Sequence, residues 1–193
     1  MTDERIGVIG TGIMGGPMAL NLVKGGFKVT AYNRTAARAE ALASGGVDVA
    51  KSITEVGEKC SVVITMVPDT PDLLGVVEGD RGLVSSMKAG SVLIDMSTVA
   101  PGATQELAGR LANQGIAMLD APVSGGSWGA QQGTLTIMVG GEAAAFSRCL
   151  PVFEAMGKSI TLMGPSGMGQ TTKLVNQILV AGTASAVAEA LVF

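Results

Sequence analysis

Three groups of residues in this 193-residue chain have the types and spacing to do chemistry. The first is Gly10-Thr11-Gly12-Ile13-Met14-Gly15, set directly after the apolar run 6–9. Gly10 permits a tight turn, Gly12 lets backbone approach a pyrophosphate, and Gly15 lets the next helix close on the strand. The phosphates then rest on free N–H groups at the positive end of that helix. Glycines used only for turning are the other reading. The second group lies about 20 positions on, where an acidic residue holds the ribose in NAD sites. This chain has Asn33-Arg34-Thr35 there. Arg34 can grip a 2′-phosphate that a carboxylate would repel, with neutral hydrogen bonds from Asn33 and Thr35, so the pattern favours NADP and leaves NAD possible. Alternatively, Asn33 and Thr35 cap the next helix and Arg34 is solvated. The third group is Lys173, alone in an apolar helical run where an unpaired ammonium is costly to bury. Asn176 and Gln177 follow at helical spacing on the same side. Against this stands a lysine that snorkels to water, and amides that only bond structurally.

Elements must hold these groups, and the pattern supplies them. Strands are expected at 6–9, 28–32, 61–66, 91–95, 117–120 and 134–139, and helices at 14–24, 35–44, 71–78, 101–113 and 142–156. Near-continuous apolar strands alternating with helices predict a doubly wound, mostly parallel α/β sheet of Rossmann type, covered on both faces. Its site belongs at the carboxyl ends of the strands. Residues 1–165 read as this domain. Residues 166–193 read as the first part of a long helix without a C-terminal cap, apolar nearly all round and in need of partners on several sides. The stretch 174–193 has the length of a membrane span, but its polar groups and lack of flanking basic residues fit a buried helix better. A helix folded back on the sheet is the alternative to one cut short.

Composition narrows the function. The chain has no histidine, which excludes histidine triads, imidazole acid–base work and histidine-ligated zinc. A net charge of −3 and 3% aromatic residues argue against nucleic acid as a partner. Cys60 and Cys149 are too few and too distant for a metal cluster, so no metal site is expected and a reduced, cytoplasmic protein is. The charged start, Met1 to Arg5, does not read as a signal peptide, and no membrane association is expected.

The chain resembles the β-hydroxyacid dehydrogenases over nearly its whole length. The resemblance is carried by 10–22, by Ile64-Thr65-Met66-Val67-Pro68, by Leu93-Ile94-Asp95-Met96-Ser97-Thr98 and by Asp120-Ala121-Pro122-Val123-Ser124-Gly125-Gly126. It continues through 133–141 and Gly169-Gln170-Thr171-Thr172-Lys173-Leu174-Val175-Asn176-Gln177. Within the family, Asn-Gln after the lysine is most like the tartronate semialdehyde (2-hydroxy-3-oxopropionate) reductases, beside the 3-hydroxyisobutyrate dehydrogenases and glyoxylate/succinic semialdehyde reductases. Asn33-Arg34-Thr35 departs from the acidic residue common in NAD-using members.

The resemblance implies interconversion of a short β-hydroxyacid and its aldehyde or keto acid by hydride transfer with NADP(H). Lys173 is then the general acid/base and Asn176 its catalytic partner. Ser124, Gly125, Gly126 and Gln177 bind the substrate carboxylate and its neighbours. Gly10, Gly12, Ile13, Met14, Gly15, Asn33, Arg34, Thr35, Met66, Val67, Pro68, Ser97 and Thr98 line the cofactor groove. A helix cap before Pro101 is the competing role for Ser97, and simple core packing that for Met14. The family also implies that the long helix leads into an all-helical C-terminal domain, absent here, and a homo-oligomer formed through both. Imine reductases, which share an Asn-Arg-Thr element but typically lack the lysine, and a non-catalytic NADP-binding interaction module are the rival readings.

Overall fold

The computed structural model describes residues 4–193. Five apolar strands, β1 (Arg5–Ile9), β2 (Lys28–Tyr32), β4 (Val62–Thr65), β5 (Val92–Asp95) and β6 (Ala117–Asp120), pair in parallel, with the two-residue β3 (Asp48–Val49) at the outer edge. The order β3-β2-β1-β4-β5-β6 places the switch point between β1 and β4, above the glycine turn. The helices α1 (Gly15–Lys24), α6 (Gly126–Gln132) and α7 (Ala143–Glu154) cover one face around Met18, Leu22 and Phe153. On the other face α3 (Ile53–Lys59), α4 (Thr70–Glu78) and α5 (Pro101–Ala112) bury Val56, Leu73 and Leu107. Cys149 and Cys60 lie in opposite layers, and burial pushes their thiols up to about 12 and about 11. The Rossmann-type fold is as expected.

Several details differ from the sequence expectation. The helix expected over 35–44 stops early: α2 is Ala36–Glu40, followed by a 3₁₀ turn at Ala43–Gly45 and left-handed Gly46. The strand expected over 134–139 is β8 (Leu135–Gly140), but it runs antiparallel to β6 and to the short β7 (Val123–Ser124). Its parallel neighbour β9 (Gly157–Gly164) has no clean apolar alternation and escapes a periodicity reading.

The last helix, α8 (Met168–Val192), is one continuous rod that this chain by itself does not bury. Only Gly169, Gln170 and Lys173 are buried. From Leu174 on, apolar side chains such as Ile178 and Leu191 stand exposed, so the rod does not fold back on the sheet. Among the described residues it is the one helix long and apolar enough to cross a membrane, by length and composition only.

The strand register creates a polar row in the apolar interior. Thr65, Asp95, Asp120 and Gly140 are aligned side by side at the ends of β4, β5, β6 and β8. Thr65 Oγ1 donates to Asp95 Oδ1 at 2.8 Å, and Asp95 Oδ2 is buried without a partner. Desolvation pushes Asp95 up to about 6, against the lowering effect of its bonds from Ser97 and Thr65. A folded-state pKa above the usual carboxylate value means that the native state binds the extra proton. Stability from this group is therefore full below about pH 4 and is lost as pH rises through 6. The Asp95→Asn variant, which cannot ionise, should gain stability over the wild type between pH 4.5 and pH 7.5. The gain should be about 3 kcal/mol at most, read by denaturant unfolding at the two pH values.

Candidate functional site

The glycine turn is sterically obligatory at two positions. Gly10 has φ of +95°, and a side chain there would overlap the carbonyl of Met66. A side chain at Gly15 would overlap the carbonyl of Gly10, so only glycine lets α1 close on the turn. Gly12 differs: a Cβ there would meet nothing within 4 Å, leaving open space beside the backbone. The first turn of α1 has no side-chain cap and no acidic residue. An uncapped helix start beside an unobstructed glycine fits a pyrophosphate, and the residues present suit a dinucleotide.

Asn33 has an internal task. Its Oδ1 accepts from Thr11 N at 3.0 Å and its Nδ2 donates to Thr35 O at 3.0 Å, so it pins the glycine turn to the end of β2. Thr35 stands at the N-cap of α2 without making a side-chain cap bond. Arg34 is 89% exposed and 3.8 Å from Asp72 of α4. A contact that open leaves the guanidinium available to an incoming anion. Ile13 is exposed at the turn, while Met14 packs against the core layer under α1.

Next around the carboxyl edge come the loops after β4 and β5. Met66 and Val67 are half-buried and Pro68 is exposed. Ser97 is buried, and its Oγ accepts from Val67 N at 2.9 Å. Ala100, not Ser97, takes the N-cap of α5. Ser97 thus ties the two loops together, and its exposed neighbour Thr98 is the one free to face the groove.

The start of α8 is the most constrained part of this edge. Asp120 Oδ1 accepts from Gly167 N at 2.8 Å and Oδ2 from Gln170 N at 2.9 Å, so one buried carboxylate receives the amides of the first turn. This is favourable for the helix dipole. Even so, burial raises the pKa of Asp120, since desolvation outweighs those bonds. A Cβ at Gly169 would lie 2.5 Å from the carbonyl oxygens of Asp120 and Met138, so glycine alone lets the helix sit this close. Gln170, fully buried, donates from Nε2 to Ser97 O at 2.9 Å and accepts on Oε1 from Val99 N at 3.1 Å.

Lys173 follows one turn later. It is 8% exposed, and among the described residues no carboxylate stands within 4 Å of its Nζ. Burial lowers its pKa from the ordinary lysine value. That burial covers the lysine's stem, while Nζ keeps some access to solvent. Asn176, three residues on, is half-buried with its Oδ1 buried and unpartnered, whereas Gln177 is exposed. Ser124 lies on β7 opposite Thr136, past the carboxyl end of β6. Gly125 and Gly126 follow with φ of +130° and +60° and open α6, both exposed.

Sequence reasoning missed Asp95, Asp120 and Gln170 as site residues. The signal was present: two adjacent parallel strands each end an apolar run with Asp. Aspartate in that place lies at the crevice edge and must find buried donors.

Comparison with known proteins agrees with this geometry. Residues 5–164 match the NAD binding domain of 6-phosphogluconate dehydrogenase. The chain is 44% identical over 191 residues to a 2-hydroxy-3-oxopropionate reductase of Escherichia coli (strain K12), covering 98% of this chain and 64% of the relative. It is 42% identical over 192 residues to a 3-hydroxyisobutyrate dehydrogenase of Pseudomonas aeruginosa, covering 97% and 64%. The structure of a Mycobacterium tuberculosis 3-hydroxyisobutyrate dehydrogenase with L-serine superposes with a TM-score of 0.89 at 34% identity, over 97% of this chain and 63% of that one. The chain thus spans somewhat less than two thirds of the length of these relatives. A glycine turn shaped for a pyrophosphate, in a sheet of this order, and a match over 5–164 lead to one conclusion: the chain belongs to the family of the NAD-binding domain of 6-phosphogluconate dehydrogenase.

Proposed function

We propose that the protein is an NADP(H)-linked oxidoreductase that interconverts a short β-hydroxyacid and its aldehyde or keto acid, with Lys173 carrying the proton. The observation that carries this reading is Lys173 itself, a buried lysine without a carboxylate partner among the described residues, fixed one turn beyond the anchored start of α8. Names of the relatives, a reductase of 2-hydroxy-3-oxopropionate and a dehydrogenase of 3-hydroxyisobutyrate, support the substrate class.

When bound, a nicotinamide dinucleotide supplies the hydride chemistry. Gly12 and the uncapped start of α1 hold its phosphates, and Arg34 reads a 2′-phosphate. Ser124 and the amides of Gly125 and Gly126 form a small nest for the substrate carboxylate. The Lys173 ammonium donates a proton to the carbonyl oxygen in reduction, and the amine takes it back in oxidation. Its depressed pKa brings both forms closer to neutral pH than an exposed lysine allows. Asn176, three residues on and with its own Oδ1 buried and unpartnered, orients the ammonium or a substrate hydroxyl.

Two measurements test this. Lys173→Ala should lower turnover by about a thousandfold or more while the NADPH dissociation constant stays within about threefold, in assays on short aldehyde acids. Unchanged turnover refutes the role. In the wild type, reductive turnover should fall as pH rises through the lowered lysine pKa. Arg34→Gln should weaken NADPH by about tenfold or more and NADH by less than about twofold in a fluorescence titration; equal losses refute the phosphate contact.

A further inference from the structure

Lys173 sits on a helix whose later residues are all exposed or half-exposed, so the accuracy of its placement must come from the first turn of α8. That turn has two kinds of anchor. Asp120 receives the amides of Gly167 and Gln170 and fixes where the helix begins. A cap of this kind fixes the start of a helix but leaves rotation about its axis less defined. Rotation is set by a side chain that reaches sideways, and Gln170 is that side chain. Its amide makes two bonds, to Ser97 O and from Val99 N, with backbone of the loop after β5. That loop is rigid in turn. Ser97 Oγ is held by Val67 N, and Ser97 N donates to Asp95 Oδ1 at 3.2 Å. Gln170 and Lys173 are three residues apart, so they share a helix face, and a rotation that Gln170 prevents is one that would swing the ammonium.

We propose that Gln170 is a positioning residue for Lys173: its paired bonds to the Ser97–Val99 backbone set the rotation of α8 and lock the lysine into its buried place. The proposal rests on the reading of Lys173 as the proton carrier. The energetic case is that a fully buried amide without both bonds is strongly unfavourable, so the glutamine tolerates only the rotation that satisfies them. The groups that set the local field are few. Asp120 of β6, Glu106 and Arg110 of α5 and Lys158 of β9 are the charged residues on the elements packed most closely against α8, with Asp95 behind the Ser97 loop, and among the described residues no carboxylate is in ion-pair contact with Lys173. A change in Lys173 titration on altering Gln170 therefore reports on burial and placement, and no ion pair is lost.

The test uses Gln170→Met, equal in length but unable to make either bond, beside Lys173→Ala and the wild type. Turnover should fall by about thirtyfold or more, with KM and the NADPH dissociation constant within about threefold. In parallel, lysines are dimethylated with ¹³C-formaldehyde and titrated by NMR, the Lys173 signal being the one missing from Lys173→Arg. Its titration should move up toward the ordinary lysine range in Gln170→Met. If Gln170→Met does not fold, Gln170→Asn, uncharged and too short to make both bonds, should show a change of the same sign in both readouts. Turnover within threefold of wild type, a parallel loss of cofactor affinity, or an unmoved Lys173 titration overturns the proposal. If Lys173→Ala retains turnover, the proton-carrier reading falls and this one with it. If Lys173→Ala abolishes turnover and Gln170→Met does not, only the positioning role falls.

Discussion

One buried carboxylate decides how this molecule is assembled at its working edge. Asp120 ends β6 inside the protein, where an unpaired charge is strongly disfavoured, and the amides that satisfy it belong to the first turn of α8. Sheet and helix are therefore not free to choose their junction. The two glycines at this contact follow from the same constraint: Gly140 beside the carboxylate and Gly169 against two carbonyls leave no room for a side chain. Everything carried further along the helix inherits its position from here.

The constraint spreads because the polar atoms at this edge share partners. Thr65 and Ser97 bond to Asp95, Ser97 takes the amide of Val67, Gln170 takes both sides of the Ser97–Val99 backbone, and Asp120 takes the amide of Gln170. The chain of bonds runs from β4 to α8 through groups that are mostly buried. Hydrogen bonds in a low dielectric are strong when made and expensive when broken, so such a network resists deformation more than a set of exposed contacts does. Lys173 follows one turn beyond it, mostly buried. The cofactor turn lies across the same edge, held by glycine sterics and the Asn33 amide, and it meets this network at the loop after β4, where Gly10 abuts the Met66 carbonyl and Val67 N bonds to Ser97.

Much of the fold was legible because the parallel strands are buried on both faces and so read as unbroken apolar runs. β1, β2, β4, β5 and β6 were found for that reason, and with them the glycine turn and the order of loops at the crevice. Two-residue β3 and β7 and the helix α6, built of Gly126-Ser127-Trp128-Gly129, were not, because elements that short take their form from their neighbours. β9 was hidden by its mixed burial. Lys173 was legible as an isolated charge in an apolar helix. Gln170 was not, since one glutamine among polar residues gives no sign of the backbone it will bond.

The sequence by itself determined the doubly wound sheet, the dinucleotide turn and the identity of the lone lysine, because each follows from local periodicity, sterics or the cost of burying charge. Tertiary structure alone decided the antiparallel turn of β8, the exposure of α8 beyond Lys173, and the partners of Asp95, Asp120 and Gln170. The reason is physical. A buried polar side chain is satisfied by backbone far along the chain, as Gln170 is by Val99 71 residues away, and no local pattern encodes which amide the fold will bring to it.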